Sequence, residues 1–559
     1  MEKIFVIGLD GATLPLIRKW AGEGVLPNLA ALVQGGTWGR LATVPNMNSA
    51  PAWTSFATGM NPGKHGIFYF YDRVPGSYGI RYVNGGDCRA DHIWRIIGKT
   101  GRKVGVINVP MTYPAGEVNG FLISGMDAPG IKSKRFTFPE EIRAELLHAA
   151  PDYVIEPGIT GNVKNKAFAT AISTAMASID ARTKATIHFV SNHPWDFFMV
   201  VYREMDVIQH YFWKFMDPDG HEKADVDKRS YGDTIKNIYQ KLDKEIGKLR
   251  QALPEDATIV ILSDHGAATA EGAVPMMNIF LAHTGLLGFR KKKDQGIGRK
   301  MIGKAFSMVQ KKTSRMTKEM LLRFFPSIRD HIEASIYFNG IDWEKTKAYS
   351  DGNRIELWLN LSGREPEGAV KPTEYDLVCD EIKTKLLLWC DPATKKRVVK
   401  NVFKKEEIYW GAYAGTAPDL LVRLDEEVMV TGIGIADNDG GIRILEVFAA
   451  DSNVLVNGAH ADNGIFILNG PGIKKGVELD AVEIVDLAPT ILFLFDIDIP
   501  DEMDGKVLVN ALNDDFMRGR NVRKAIFSME KPQERPSDTY DKEDERIIHD
   551  RLKSLGYVK

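Results

Sequence analysis

The chain has 559 residues, enough for one large α/β domain with insertions or for three to four small domains. Apolar residues at 44% and charged residues at 26% exclude a disordered, collagen-like or disulfide-stapled chain. With 72 Lys and Arg against 74 Asp and Glu the formal charge is −2, which excludes a uniformly basic nucleic-acid coat and leaves local patches open.

In chain order, IFVIGL from Ile4 and KVGVINV from Lys103 are short apolar runs that read as buried parallel strands. Apolar residues then recur every three or four positions over 137–150 and 165–189, which predicts helices. A strand WDFFMVVY from Trp195, a helix over 226–252 and a strand TIVILS from Thr258 follow. Residues 283–345 break the alternation with RKKKDQGIGRKMIGKAF and SMVQKKTSRMTKEMLLRFF, and from Arg290 to Asp330 thirteen Lys or Arg face three acids, a formal +10. This stretch reads either as an amphipathic helical insertion with a solvated basic face, or as a basic cap attracting an anionic substrate or, through residues 290–329, an anionic membrane surface. Beyond it, Gly363 to Pro366 marks a loop, TEYDLVCDEIKTKLLLWC from Thr373 a helix and PDLLVRL from Pro418 a strand. GIFILN from Gly464 reads as a further parallel strand and EIVDLAPTILFLF from Glu483 as a buried helix. The polar last fifty residues read as a surface tail.

Alternating strands and helices predict an α/β fold, a mostly parallel sheet with helices on both faces. The expected organisation is a first core part over 1–282, the basic insertion over 283–345, a second core part with a further α+β insertion over 346–510, and an extension over 511–559. Cys88, Cys379 and Cys390 form no CxxC pair, which points to a reducing compartment. The N-terminal MEKIFVIGLDGA lacks the regions of a signal peptide and no window reaches the roughly 18 to 20 apolar residues of a membrane span, so a soluble, cytoplasmic protein is expected.

In open parallel sheets, ligands bind outside the carboxyl ends of the strands. The first strand ends in Asp10, the Trp195 strand runs into Asp206 and His210, and the Thr258 strand ends in Asp264-His265. Three strands thus deliver metal-type ligands to one edge. Asp206 and His210 are four apart, so a helix puts both on one face; the same spacing also reads as a surface pair. Gly266 permits the turn that two adjacent ligands need. Ser49, before Pro51, reads as a residue at or beside a helix N-cap, where an alkoxide and phosphoryl oxygens are stabilised, or as a plain capping serine. With His460 from NGAHADNG, seven positions form one candidate constellation: Asp10, Ser49, Asp206, His210, Asp264, His265 and His460. Its imidazoles and carboxylates suit zinc and also manganese, and two ions can share them.

These residues stand in VIGLDGA, SAPAWTSFATGMNPGKHGIF, EMDVIQH, LSDHGA and GAHADNGIFILNGPGI, with VDLAPTILFLFDIDIPDEMDGKVL near the end. Quoted in that order, the segments resemble the type I phosphodiesterase and nucleotide pyrophosphatase family of the alkaline phosphatase superfamily. The resemblance implies an alkaline-phosphatase-like fold and a two-metal phosphoryl-transfer enzyme. By it, Asp10, Ser49, Asp264 and His265 hold one divalent ion and Asp206, His210 and His460 the other. Zinc is usual in the pyrophosphatase branch, manganese in the related phosphoglycerate mutases. It also implies that Ser49 is the nucleophile and forms a phospho-serine intermediate.

Two departures matter. The family's Asn shortly after the HGI segment is missing, since Phe68, Tyr69 and Phe70 follow His65-Gly66-Ile67. Lys64, Tyr69, Tyr71 or Asn108 are substitute substrate-binding candidates, and each also reads as structural. Ser49-Ala50-Pro51-Ala52 is followed by Trp53 where a sulfatase needs Arg, which argues against that branch. The leading expectation is a phosphodiesterase acting on an anionic phosphate-ester small molecule, with no nucleic-acid polymer as partner. The alternatives are a phosphomonoesterase or phosphomutase with the same site, or a non-catalytic polyanion- or membrane-binding protein on the same scaffold.

Overall fold

The computed structural model describes residues 2–216, 230–269, 276–290, 340–351, 354–425, 428, 430, 432–436, 441–447, 458–526 and 539–558. The strands that position the site are β1 (Ile4–Leu9), β2 (Thr37–Ala42), β3 (Val104–Val109), β4 (Gly120–Ser124), β5 (Thr137–Phe138), β6 (Phe197–Tyr202), β7 (Thr258–Leu262), β8 (Gly266–Thr269), β9 (Gly458–Ala461), β10 (Asn463–Asn469) and β11 (Val477–Glu483). Nine of them form one sheet in the order β11-β2-β10-β7-β1-β6-β3-β4-β5. Its middle, β7-β1-β6-β3-β4, is wholly parallel. The strand expected from Gly464 is present as β10 but runs antiparallel to both of its neighbours, β7 and β2. An apolar run carries burial and not direction, so its periodicity could not distinguish the two.

Both faces of the sheet are covered, as expected. Phe5, Ile7 and Leu9 of β1 belong to one apolar cluster, and Ile4 and Val6 to another, following the two-residue alternation of a strand. The first cluster takes in α1 (Leu14–Gly22), and the second takes in α2 (Ser49–Thr58). On the first face also lie α3 (Phe168–Asn192) and α4 (Glu204–Phe212), with α5 (Thr234–Ala252) beside them. On the second lies α6 (Leu487–Leu494), every residue of it buried. The helix expected over 137–150 begins as the short edge strand β5 and becomes helical only from Ile142 to Ala149. Positions 226–229 of the next expected helix lie outside the described residues.

A separate apolar cluster is built from Met276 to Leu287 and from Ile341 to Ile433, with Trp343, Trp358, Trp389 and Leu420 inside it. It contains the helix expected from Thr373, observed as Tyr375–Leu387, and the strand expected from Pro418, observed as Leu420–Leu424. The basic stretch, apart from Arg290, lies outside the described residues. No helix among the described residues is long and apolar enough to cross a membrane.

The polar C-terminus does not end as a surface tail. Residues 542–555 form α7 (Lys542–Leu555), capped by Asp541, whose side chain accepts from the Glu543 and Asp544 amides at 2.8 and 2.9 Å. Its sparse apolar residues, Ile548 and Leu552, fall on one stripe and are buried, as are Tyr557 and Val558 after it. Average polarity hid a four-residue spacing that suffices to dock a helix.

Candidate active site

The site is assembled from strand ends. After β1, Asp10 is followed by Gly11 at φ +73°, where a Cβ would sit 3.1 Å from the Asp206 side chain, so the turn requires glycine. Gln209 Nε2 donates to the Gly11 carbonyl at 2.8 Å, and Gln209 Oε1 accepts from Tyr239 at 3.1 Å, which fixes that turn from the helices behind it. After β6, α4 carries Asp206 and His210 on one face, with His210 Nε2 3.4 Å from Asp206 Oδ1. After β7 come Asp264 and His265, and the chain then enters β8. β8 pairs antiparallel with β9, with Ala267 opposite His460. That ribbon stacks the His265 and His460 rings at 3.7 Å.

Ser49 is the first residue of α2, with Asn48 as its cap, and its hydroxyl lies 3.1 Å from His265 Nε2. His265 Nε2 is also 3.3 Å from Asp264 Oδ2 and 3.7 Å from Asp10 Oδ1. On the other side, His460 Nε2 lies 3.5 Å from Asp206 Oδ1 and 3.1 Å from His210 Nε2. All seven residues singled out in the sequence therefore meet in one cluster. Two sets of three, Asp206-His210-His460 and Asp10-Asp206-His265, bring ligand atoms within 4.8 Å of one another, and Asp206 belongs to both.

Each of the three imidazoles faces a backbone carbonyl with its Nδ1. The acceptors are Gly458 at 2.8 Å for His210, Gly266 at 2.9 Å for His265 and Met47 at 2.6 Å for His460. An Nδ1 that donates to a carbonyl leaves Nε2 as the lone-pair nitrogen, the arrangement that suits a metal ligand. Asp10 Oδ1 and Asp264 Oδ2 are buried with no hydrogen-bond partner among the described residues.

The electrostatics follow. Burial, with Asp206 beside it, raises the Asp10 carboxyl to about 7 despite the Arg203 guanidinium 3.6 Å away. Asp264 is pushed well above its ordinary value by burial and by Asp10 and Asp206. Burial also pushes Asp206 up, but His210 and His460 outweigh it and hold the group well below the usual range. His210 moves to about 9, burial being overcome by Asp206. Three buried carboxylates thus surround a space with the Arg203 guanidinium at its side.

The weaker substrate-binding candidates fare differently. Lys64 is not brought to the site: its ammonium donates to Asp504 Oδ1 at 2.6 Å and to the Glu502 carbonyl at 2.7 Å, a tether to the chain after α6. Asn108 Nδ2 donates to the Val201 carbonyl of β6 at 2.8 Å, a bond between neighbouring strands. Tyr71 donates to Asp351 at 2.8 Å, and Tyr69 lies under the Arg354 guanidinium at 4.3 Å. Tyr69 and Tyr71 help line a small cavity with Phe68, Arg354 and Trp358. Sequence reasoning passed over Arg203 and Arg354. Arg203 was findable, since it is the residue directly after β6 and shares a strand end with the candidate ligands; Arg354 lies far along the chain from any motif.

The description "Type I phosphodiesterase / nucleotide pyrophosphatase" matches residues 4–434. Among curated protein sequences none matches. Among solved structures, the chain is similar to human ectonucleotide pyrophosphatase/phosphodiesterase 5 at 14% identity and a TM-score of 0.47, covering 92% of this chain and 100% of that one. The murine protein, as an inactive variant in complex with AMP, gives 13% and 0.46 over the same shares, 92% and 100%. Phosphonoacetate hydrolase from Sinorhizobium meliloti 1021, in complex with phosphonoformate, gives 14% and 0.48 over 87% of this chain and 94% of that one. The family match spans most of the chain and all but one of its seven candidate site residues, and by it the protein belongs to the type I phosphodiesterase/nucleotide pyrophosphatase family.

Proposed function

We propose that this protein is a metal-dependent phosphodiesterase that hydrolyses anionic phosphate esters through a phospho-Ser49 intermediate. Membership of a family of phosphoryl-ester hydrolases gives the reaction class. The observation that carries the rest is the donor set: three Nε2 atoms with their Nδ1 partners engaged, converging on three buried carboxylates, two of whose oxygens have no hydrogen-bond partner among the described residues. Carboxylates in that state need a cation, and Arg203 alone does not balance them.

These residues fit two divalent ions. Asp206, His210 and His460 would hold one, and Asp10, Ser49, Asp264 and His265 the other, with zinc or manganese matching the ligand types. When bound, such ions supply Lewis acidity and offset the charge that develops on phosphoryl oxygens.

The chain's own residues do the following. Ser49 Oγ, at the start of a ten-residue helix, is held 3.1 Å from His265 Nε2, which fixes the direction of attack. The positive end of that helix's dipole favours negative charge on the oxygens of the transferred group. In the first step the Ser49 Oγ–P bond forms and the P–O bond to the leaving alcohol breaks, with the leaving oxygen protonated. In the second, water attacks phosphorus, the Oγ–P bond breaks, and a phosphomonoester and the Ser49 hydroxyl are released. Gln209 and Tyr239 hold the Asp10-Gly11 turn throughout.

Rates on bis-p-nitrophenyl phosphate and p-nitrophenyl phosphate, measured in zinc and in manganese, test the reading. The expected result is at least about tenfold preference for the diester; preference for the monoester would replace the diesterase by a phosphatase or mutase.

A further inference from the structure

Ser49 and Trp53 are four apart on α2, which sets their side chains one turn apart on the same face of the helix. The indole packs in one cluster with Ile4 and Val6 of β1. By the alternation of a strand, Gly8 and then Asp10 follow on that side. A Cβ at Gly8 would sit 2.5 Å from Trp53 Cη2 and 2.8 Å from Val201 Cγ2, so β1 needs glycine there for the fully buried indole to lie across it. Laid over Gly8, the indole reaches the end of the strand, and its Nε1 donates to Asp10 Oδ2 at 3.2 Å.

The two oxygens of Asp10 therefore have different surroundings. Oδ2 accepts from the indole and has Arg203 Nε 3.6 Å away, and Arg203 Nη1 lies 3.7 Å from Glu156 Oε2 behind it. Oδ1 is buried with no hydrogen-bond partner among the described residues and lies 3.7 Å from His265 Nε2. Asp264 repeats the pattern. Its Oδ1 accepts from the Gly11 amide at 3.3 Å, while its Oδ2 has no such partner and lies 3.3 Å from the same imidazole nitrogen. Each carboxylate thus commits one oxygen to the protein and turns the other toward His265.

We propose that Trp53 is a positioning residue of the metal centre: its N–H engages Asp10 Oδ2, so that Asp10 offers Oδ1 alone to the ion beside Ser49, and this sets how tightly that ion is held. An indole is a donor only and carries no charge, so it fixes the plane of the carboxylate without placing another cation beside the ion. Hydrogen bonds behind a ligating carboxylate hold it in the orientation that the ion needs. The inference rests on the metal-dependent reading given above.

The test is zinc binding to the full chain after it has been stripped with chelator, read by competition with a chromogenic chelator. Two zinc dissociation constants in the unaltered protein check the reading itself; if no zinc binds, that reading fails before any variant is considered. Trp53→Phe removes the donor and keeps a ring against Gly8. It is expected to raise one zinc dissociation constant at least about tenfold and to leave the other within about threefold. Replacement of Trp53 by benzothienylalanine, which carries sulfur in place of the N–H on the same outline, is expected to do the same and serves where the Phe variant does not fold. Phe56→Leu disturbs the edge-to-face packing of Phe56 on the indole, 6.3 Å between ring centres, and leaves the N–H in place. Both constants are expected to stay within about threefold in that variant. A change below threefold in both constants on loss of the N–H overturns the proposal. So does an equal loss at both ions, or a loss in Phe56→Leu as large as in Trp53→Phe, since either marks packing and not the donor.

Discussion

Asp206 and Asp10 are both enclosed carboxylates whose ligand atoms lie within 4.8 Å of each other, yet their acidities move in opposite directions. Asp206 faces two imidazoles, at 3.4 and 3.5 Å, whose interactions favour its ionised form. Asp10 has the Trp53 indole N–H at 3.2 Å and a guanidinium at 3.6 Å, and it shares its surroundings with Asp264. In one half the carboxylate is held ionised by imidazoles; in the other, burial and crowding among carboxylates favour the protonated acids. The difference teaches which half depends most on a cation: the side that carries Ser49.

The largest expected effect is on the nucleophile. Ser49→Ala lowers kcat by at least about 10³-fold and abolishes any trapped phospho-serine seen by mass spectrometry of the quenched protein. Full activity in that variant would remove Ser49 from the mechanism and with it the contrast between the halves.

Next come the ions. Asp206 is assigned to one ion but also lies within 4.8 Å of the ligand atoms of Asp10 and His265, so Asp206→Asn is expected to cost its own ion and weaken the other, whereas Asp264→Asn costs the one beside Ser49. Elemental analysis of the purified variants reads this directly as metal per chain. Full retention of one ion by Asp206→Asn would show that the carboxylate is not shared.

A third effect appears in chelator. Asp10 at about 7 holds a proton in the folded chain that the unfolded chain has released above 3.8, so stability falls as pH rises from about 4 through 7. His210 at about 9 contributes stability that is complete below 6.5 and is lost as pH rises through 9. The melting temperature of the metal-free protein is therefore expected to fall steadily between pH 5 and pH 9, roughly the window those two groups span, and zinc should flatten the slope. A rise with pH in chelator would contradict the assignment of unbalanced carboxylates.

The smallest effect sharpens the comparison most. Asp10→Asn removes a charge from the half where carboxylates crowd one another and should raise the melting temperature of the metal-free protein at pH 8 by about 2 °C, while His460→Ala lowers it. Equal shifts in the two variants would mean that the halves are electrically alike.

The candidate ligand residues could be found in the sequence because strands ending in Asp10, in Asp264-His265 and ahead of Asp206 are continuous apolar runs, and the ends of such runs fall on one edge of a parallel sheet. Strand β2, TWGRLA, could not, since its alternating burial mixes Arg40 and Gly39 into a run too short for a periodicity. β11, VELDAVE, is an exposed edge whose polarity reads as loop. Tyr557 was hidden for another reason: its place depends on Gly556 reversing the chain and on Arg551 reaching carbonyls more than four hundred residues earlier, contacts that no local pattern records.

The antiparallel strand β10 bears on how the protein comes into being on the ribosome. β2, made within the first fifty residues, is flanked in the sheet by β10 and β11, both synthesised after residue 460. Until then it lacks both of its sheet neighbours, and an early helix and strand must wait for nearly the whole chain. Closing such a distant pair is slow. His460 arrives on the same late ribbon, so an unfinished or truncated chain holds at most part of the ligand set, and metal uptake during refolding is expected to track the last step of sheet closure.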